Sequence, residues 1–99
     1  MNCLIIVELP AKPGKLEELK ELVNVSLPGV RAFDGYISVE VFQEVETNTL
    51  VLVVDFESLD HYDAFLQWTI ANGLEKKLEP ILEGGAAGLQ VRRFGGPLS

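Results

Sequence analysis

Apolar residues fall along this chain in two rhythms, continuous or alternating over short runs and spaced by three or four over longer ones. Residues 3–9, Cys-Leu-Ile-Ile-Val-Glu-Leu, are apolar on both faces except for Glu8, as in a strand covered on both sides. Pro10, Pro13 and Gly14 end it. From Lys15 to Ser26 the leucines at 16, 19 and 22 and Val23 take helical spacing, with Lys15, Glu17, Glu18, Lys20 and Glu21 on the solvated face. Pro28-Gly29 predicts the end of that helix, followed by an irregular turn over residues 30–33. Alternation returns at Tyr36. Ile37, Val39 and Val41 share one face of this strand, while Tyr36, Ser38, Glu40 and Phe42 share the other. Glu46-Thr47-Asn48 is short enough for a hairpin turn into the apolar run 50–56. Ser58 then reads as an N-cap, with Asp60 in the first turn and Leu59, Tyr62, Phe65, Leu66, Thr69 and Ile70 forming an apolar face. Asn72-Gly73 stops the helix, residues 74–82 suggest a short further helix disturbed by Pro80, and residues 89–94 make a last strand.

The order β-α-β-β-α-(α)-β defines an α+β chain and suits the ferredoxin-like split βαβ, a four-stranded antiparallel sheet with its helices on one face. The expected unit is one domain over residues 1–99, with its core at about 2–94 and a frayed or partner-swapped tail at 95–99. The other sheet face would then lack a cover. If Leu50, Leu52, Val54 and Phe56 point that way with Tyr36 and Phe42, the patch exceeds what a soluble monomer usually exposes, and a homodimer is expected. A register shift of one residue would instead send Val51, Val53 and Asp55 to that face.

Charge narrows the partners. Lys and Arg number 8 against 15 acidic residues, for a net charge of −7, which repels phosphate backbones. Nucleic acid is therefore not an expected partner. No apolar run approaches the ~18 residues of a membrane span and no basic leader precedes an apolar core, so neither a membrane nor secretion is expected and the location is taken as cytoplasmic. The one cysteine, Cys3, sits in a strand-like run as a small buried hydrophobe, and with one His it offers little to a metal. No cofactor is expected, because Gly84-Gly85-Ala86-Ala87-Gly88 precedes a strand and lacks the helix N-terminus of a phosphate loop.

Aromatic and imidazole groups concentrate in residues 56–68. His61, Trp68 and Asn72 fall nearly on one line of the helix beside Phe65, a stripe that can border a pocket. The plainer reading has Trp68 packing as a core aromatic, His61 half-capping the helix and Asn72 serving its end. Tyr62 lies nearer the centre of the apolar face. Glu40 is either a general-base candidate with Arg31 and Arg92 nearby, or the ion-pair partner of Arg92 or Arg93 across the sheet or a dimer.

The segments Pro13-Gly14-Lys15, Arg31-Ala32-Phe33-Asp34-Gly35-Tyr36, Asp55-Phe56-Glu57-Ser58 and His61-Tyr62-Asp63-Ala64-Phe65-Leu66-Gln67-Trp68, in this order and spacing, resemble the antibiotic biosynthesis monooxygenase family. The resemblance runs from the first strand to about Phe94. It implies a homodimeric ferredoxin-like α+β barrel with a pocket between sheet and helices. Some members oxidise aromatic polyketides to quinones without metal or organic cofactor, and others degrade haem. Where the quinone-forming members carry a strand Asn and a Trp, this chain has Leu52 and Phe56, neither able to donate a hydrogen bond; the Tyr four residues after the Ser is kept as Tyr62. The His that binds haem iron in other members has no counterpart beyond His61, so haem degradation is not implied. The expected catalytic residues are His61, Tyr62 and Trp68, and the expected pocket residues are Tyr36, Glu40, Phe42, Leu52, Phe56, Phe65 and Asn72. Two functions stay open: a cofactor-independent monooxygenase acting on a small aromatic or quinol-type molecule, and a non-catalytic small-ligand-binding or dimerisation module of the same fold.

Overall fold

The computed structural model describes residues 2–99. Strand β1 (Asn2–Pro10) is followed by α1 (Leu16–Arg31), the hairpin β2 (Tyr36–Gln43) and β3 (Thr49–Phe56), α2 (Leu59–Ala71), α3 (Leu74–Leu78), a 3-10 turn over Gly85–Gly88, and β4 (Gln90–Gly96). The strands form one antiparallel sheet in the order β2-β3-β1-β4, which makes β1 and β3 its centre and gives the ferredoxin-like arrangement. Ser58 caps α2 as its sequence suggests, its Oγ accepting the His61 backbone N–H at 3.2 Å. Beyond the other end, Gly73 takes the left-handed conformation with φ 77°.

The pairing of β1 with β3 decides the faces. Cys3 lies opposite Phe56, Ile5 opposite Val54, Val7 opposite Leu52 and Leu9 opposite Leu50, and this set faces the helices. Leu50, Leu52, Val54 and Phe56 therefore do not cover the open face. Phe56 is fully buried against Tyr62 and Phe65, and Leu50 joins Leu19, Leu78 and Leu82. Burying such a side chain contributes roughly 1.5–3 kcal/mol. The open face carries Val51, Val53 and Asp55, with Leu4, Ile6, Phe42 and Phe94 on the neighbouring strands. The deciding residue is Asp55, whose carboxylate would be costly among the helices. An irregularity between Tyr36 and Ser38 also parts Tyr36 from Ser38, Glu40 and Phe42: Tyr36 pairs with Phe56 on the helix side.

Two helix boundaries differ from expectation. Pro28 does not end α1, which runs on to Arg31. Proline removes one N–H, whose acceptor would be the carbonyl of the exposed Asn24, while continuing the helix packs Leu27, Val30 and then Phe33 against the core. By contrast α3 stops at Leu78, and the chain reaches Leu82 through a turn tied by an isolated bridge between Ala11 and Leu82.

Gly35 has φ +87°, and its missing side chain makes room for the imidazole of His61. Gly14 has φ +79° but faces open space. Alanine at Gly14 should cost about 1–2 kcal/mol for its backbone conformation alone. Alanine at Gly35 should add roughly 1–3 kcal/mol of overlap with His61. Urea unfolding of the two variants measures the difference, and equal losses would contradict the packing of Gly35 on His61.

Candidate functional site

Between the helix side of the sheet and the three helices lies a cavity of about 360 Å³. Its floor is Ile5, Val7 and Leu9 of β1 with Leu52, Val54 and Phe56 of β3, alternate residues that strand geometry sends to one side. One wall is the second half of α1, including Leu22, Ser26, Gly29 and Val30; the other is Tyr62, Phe65, Leu66, Trp68, Thr69 and Ile70 of α2. Leu74, Leu78 and Leu89 line the end beside Leu9, and Val91 flanks the floor opposite Val7. At the rim, Val25, Trp68 and Ile70 remain 68%, 42% and 47% exposed, beside Asn72, Glu75 and Lys77.

Gly29 sets the spacing of the two walls. A Cβ there would stand 3.0 Å from the Trp68 ring, tighter than ordinary van der Waals contact, so glycine lets the indole lie close across α1. Trp68 continues into a chain of rings. Its centroid is 6.1 Å from Phe65 and 5.7 Å from Phe33; Phe65 is 5.2 Å from Phe56, and Phe56 is 6.1 Å from Tyr62. Tilted pairs at these separations add to area burial and stiffen the wall.

Few polar groups on the walls are available to a ligand. The Ser26 hydroxyl donates to the Leu22 carbonyl at 2.8 Å, Thr69 donates to the Leu66 carbonyl at 2.8 Å, and the Asn72 amide donates to the Trp68 carbonyl at 2.7 Å. Each is committed to its own helix. Tyr62 is 5% exposed and its hydroxyl has no hydrogen-bond partner among the described residues. Burial pushes its phenol above the usual 10.0; the Arg93 guanidinium works against that rise, and Cys3 and Asp63 reinforce it. At neutral pH Tyr62 is thus a hydrogen-bond donor. Burial likewise raises the Cys3 thiol above its usual 9.0, against the pull of Arg93.

The expected site residues divide. Leu52, Phe56, Tyr62, Phe65, Trp68 and Asn72 come together around this cavity. His61 lies outside it, at the N-terminus of α2: its Nδ1 is 2.7 Å from Ser58 Oγ, and its Nε2 is 3.8 Å from Asp34 Oδ2 and 3.9 Å from Glu57 Oε2. Tyr36 packs behind Phe56 without lining the cavity. Glu40 is on the open face opposite Val53, so it is not a pocket carboxylate. It makes no ion pair among the described residues; Arg92 pairs instead with Glu8 at 3.3 Å and Arg93 with Asp63 at 3.8 Å. Phe42 is also on the open face, 51% exposed, and borders a separate shallow groove with Lys20 and Asn24. The wall from α1 was missed because Pro28-Gly29 resembles a helix end; the leucine spacing continuing to Leu27 and Val30 was the available signal. Among the described residues no group of three His, Cys, Asp or Glu side chains is disposed to hold a metal ion, and no helix is long and apolar enough to cross a membrane.

Comparison with known proteins bears on the same arrangement. The NE2512 protein of Nitrosomonas europaea, of unknown function, superposes with a TM-score of 0.82 at 19% identity, over 99% of this chain and 91% of that one. Rv0793 of Mycobacterium tuberculosis does so with a TM-score of 0.74 at 19% identity, covering 100% and 97%. A variant of SnoaB, a cofactor-independent oxygenase from Streptomyces nogalater, gives 0.81 at 9% identity, covering 99% and 95%. At such identities the likeness is one of fold. No curated protein matches the sequence. The family model for antibiotic biosynthesis monooxygenase matches residues 3–69, which span β1 to the wall helix α2 and hold the cavity floor, so the chain belongs to the antibiotic biosynthesis monooxygenase family.

Proposed function

We propose that the protein is a cofactor-independent monooxygenase whose substrate is a small aromatic or quinol-type molecule held in the cavity. The observation that carries this reading is the pairing of an apolar chamber with one buried, uncommitted hydroxyl, the Tyr62 phenol, in a family of monooxygenases. An electron-rich substrate supplies its own electrons: an anthrone-type ring CH2 reacts with O2 to give C=O and water, one oxygen atom entering the ring and the other leaving with both hydrogens, whereas a quinol passes two electrons and two protons to O2 and leaves as the quinone with H2O2. The protein contributes orientation and exclusion of water. Tyr62 donates to the substrate oxygen on which negative charge gathers as the ring loses its proton, and Trp68 and Phe65 hold the ring plane. His61 acts through position, holding Ser58 and the start of α2. A non-catalytic binding module is the second reading, favoured by Leu52 and Phe56, which leave the cavity floor without a donor.

The assembly belongs to the same proposal. On the open face, Ile6 lies opposite Val53 and Leu4 opposite Phe94, with Phe42 beside Val51. Asp55 Oδ1 is buried there with no hydrogen-bond partner among the described residues. A second copy packed face to face would cover this apolar patch and offer donors to Asp55, giving a homodimeric α+β barrel.

Oxygen uptake with hydroxylated anthrones and naphthoquinols tests the reaction. Wild type should consume oxygen with at least one of them, and Tyr62→Phe should lower kcat/KM about tenfold to a hundredfold, the usual weight of a hydrogen bond to a charged group. Ligand binding without uptake would favour the binding module. Sedimentation equilibrium tests the assembly. Wild type should be a dimer at micromolar concentration and Val53→Asp a folded monomer; a wild-type monomer would sink the face-to-face dimer.

A further inference from the structure

The registers of the three strand pairs set the open face out in rows, because residues directly opposite in an antiparallel pair share a face. One row runs Glu40, Val53, Ile6 and Arg92 from β2 through β3 and β1 to β4. Its middle is apolar and its ends carry opposite charges, about 14 Å apart across three strand spacings. They cannot meet within one protomer. Glu40 is exposed and makes no ion pair among the described residues, while Arg92 turns to Glu8 at 3.3 Å, an exposed contact of the kind that contributes little. On the neighbouring row Asp55 lies beside Leu4, its Oδ1 buried with no hydrogen-bond partner among the described residues. Among the strand residues described on this face Arg92 is the one base, against the acids Glu8, Glu40 and Asp55.

A second copy packed face to face can be related by an axis across the strands or along them. An axis across the strands lays the acid-bearing β2 and β3 over their own copies and Arg92 over the partner's β4, which brings like charges together. An axis along the strands, between β1 and β3, reverses the order and lays β4 of each copy over β2 of the other. Val53 then meets the partner's Ile6, and Arg92 meets the partner's Glu40. Stacked sheets lie about 10 Å apart, a gap that an Arg and a Glu side chain bridge together. The same guanidinium is one strand and two residues from the partner's Asp55, a diagonal within reach of a long side chain. We propose that the axis of the dimer runs along the strands, so that Arg92 of each protomer pairs with the partner's Glu40 and supplies the donor that the partner's Asp55 lacks. Opposite charge at both edges then fixes the orientation that the apolar middle leaves open. This rests on the face-to-face dimer proposed above and not on the reaction.

Charge exchange read by analytical ultracentrifugation tests it. Glu40→Arg and Arg92→Glu should each raise the dimer Kd about tenfold or more, and the double variant should return to within about threefold of wild type, since only the double restores both cross-pairs. Both positions are exposed, and circular dichroism checks that each variant is folded. A second measurement reads the axis directly. Val45 is 83% exposed beyond the end of β2, and a spin label at Val45→Cys in a Cys3→Ala background reports the separation of the two hairpins. An axis along the strands puts the two backbones roughly 18 Å apart at one end of the dimer, whereas an axis across them puts them roughly 35 Å apart at opposite ends. Single variants without effect, a double variant that fails to recover, or the longer separation would each overturn the proposal while leaving face-to-face packing in place. A wild-type monomer would remove the dimer and this pairing together.

Discussion

Every side chain on the cavity floor owes its direction to the register in which β3 lies against β1. Strands alternate their side chains, so pairing Ile5 with Val54 and Val7 with Leu52 commits the whole of both strands at once. A slip by one residue would put Asp55 against Tyr62 and Phe65 and turn Phe56 outward. The cost of that slip, a carboxylate without water beneath the helices, is what makes the arrangement unique. The cavity, the buried Cys3 and the apolar open face are all consequences of the same alternation.

The helices act on that floor through their smallest and largest residues. Gly29 lets Trp68 reach across α1, while Phe33, Phe56, Phe65 and Tyr62 fill the space behind it ring on ring. Farther along, the chain packs aliphatically, with Leu19 of α1 and Leu82 wholly buried in one cluster with Leu78 of α3. The chamber lies over both parts of this core, which gives it one aromatic and one aliphatic end. The chemistry of the walls is set largely by which hydroxyls their own helices consume.

Much of this was legible in the residues. Ser58 and Gly73 mark the ends of α2 because their chemistry is local: a hydroxyl that accepts an N–H, and a residue free to take positive φ. The strand order followed from the sequence of elements. What local pattern could not settle was the face of β3, since residues 50–54 are apolar on both sides, and Asp55 is the one position that breaks the tie. Two expectations for Leu52 and Phe56, lining a pocket beneath the helices and covering the open sheet face, exclude one another by geometry; the first holds. Pro28 misled for a different reason. Its local penalty of one missing donor is real, but packing of Val30 and Phe33 outweighs it, and that benefit depends on α2, far away in sequence. Glu40 and Phe42 followed the face of their strand, while the irregularity after Tyr36 carried that residue to the other side.

The placement of Trp68 has a use for the experimenter. It is the sole tryptophan, and it spans the contact between the two walls with its ring on Gly29 and its edge in water. Intrinsic emission from the protein near 300 nm excitation therefore comes from one place. Any parting of α1 from α2 wets that indole and any filling of the rim dries it, so an unlabelled sample carries its own optical gauge of whether the chamber is open.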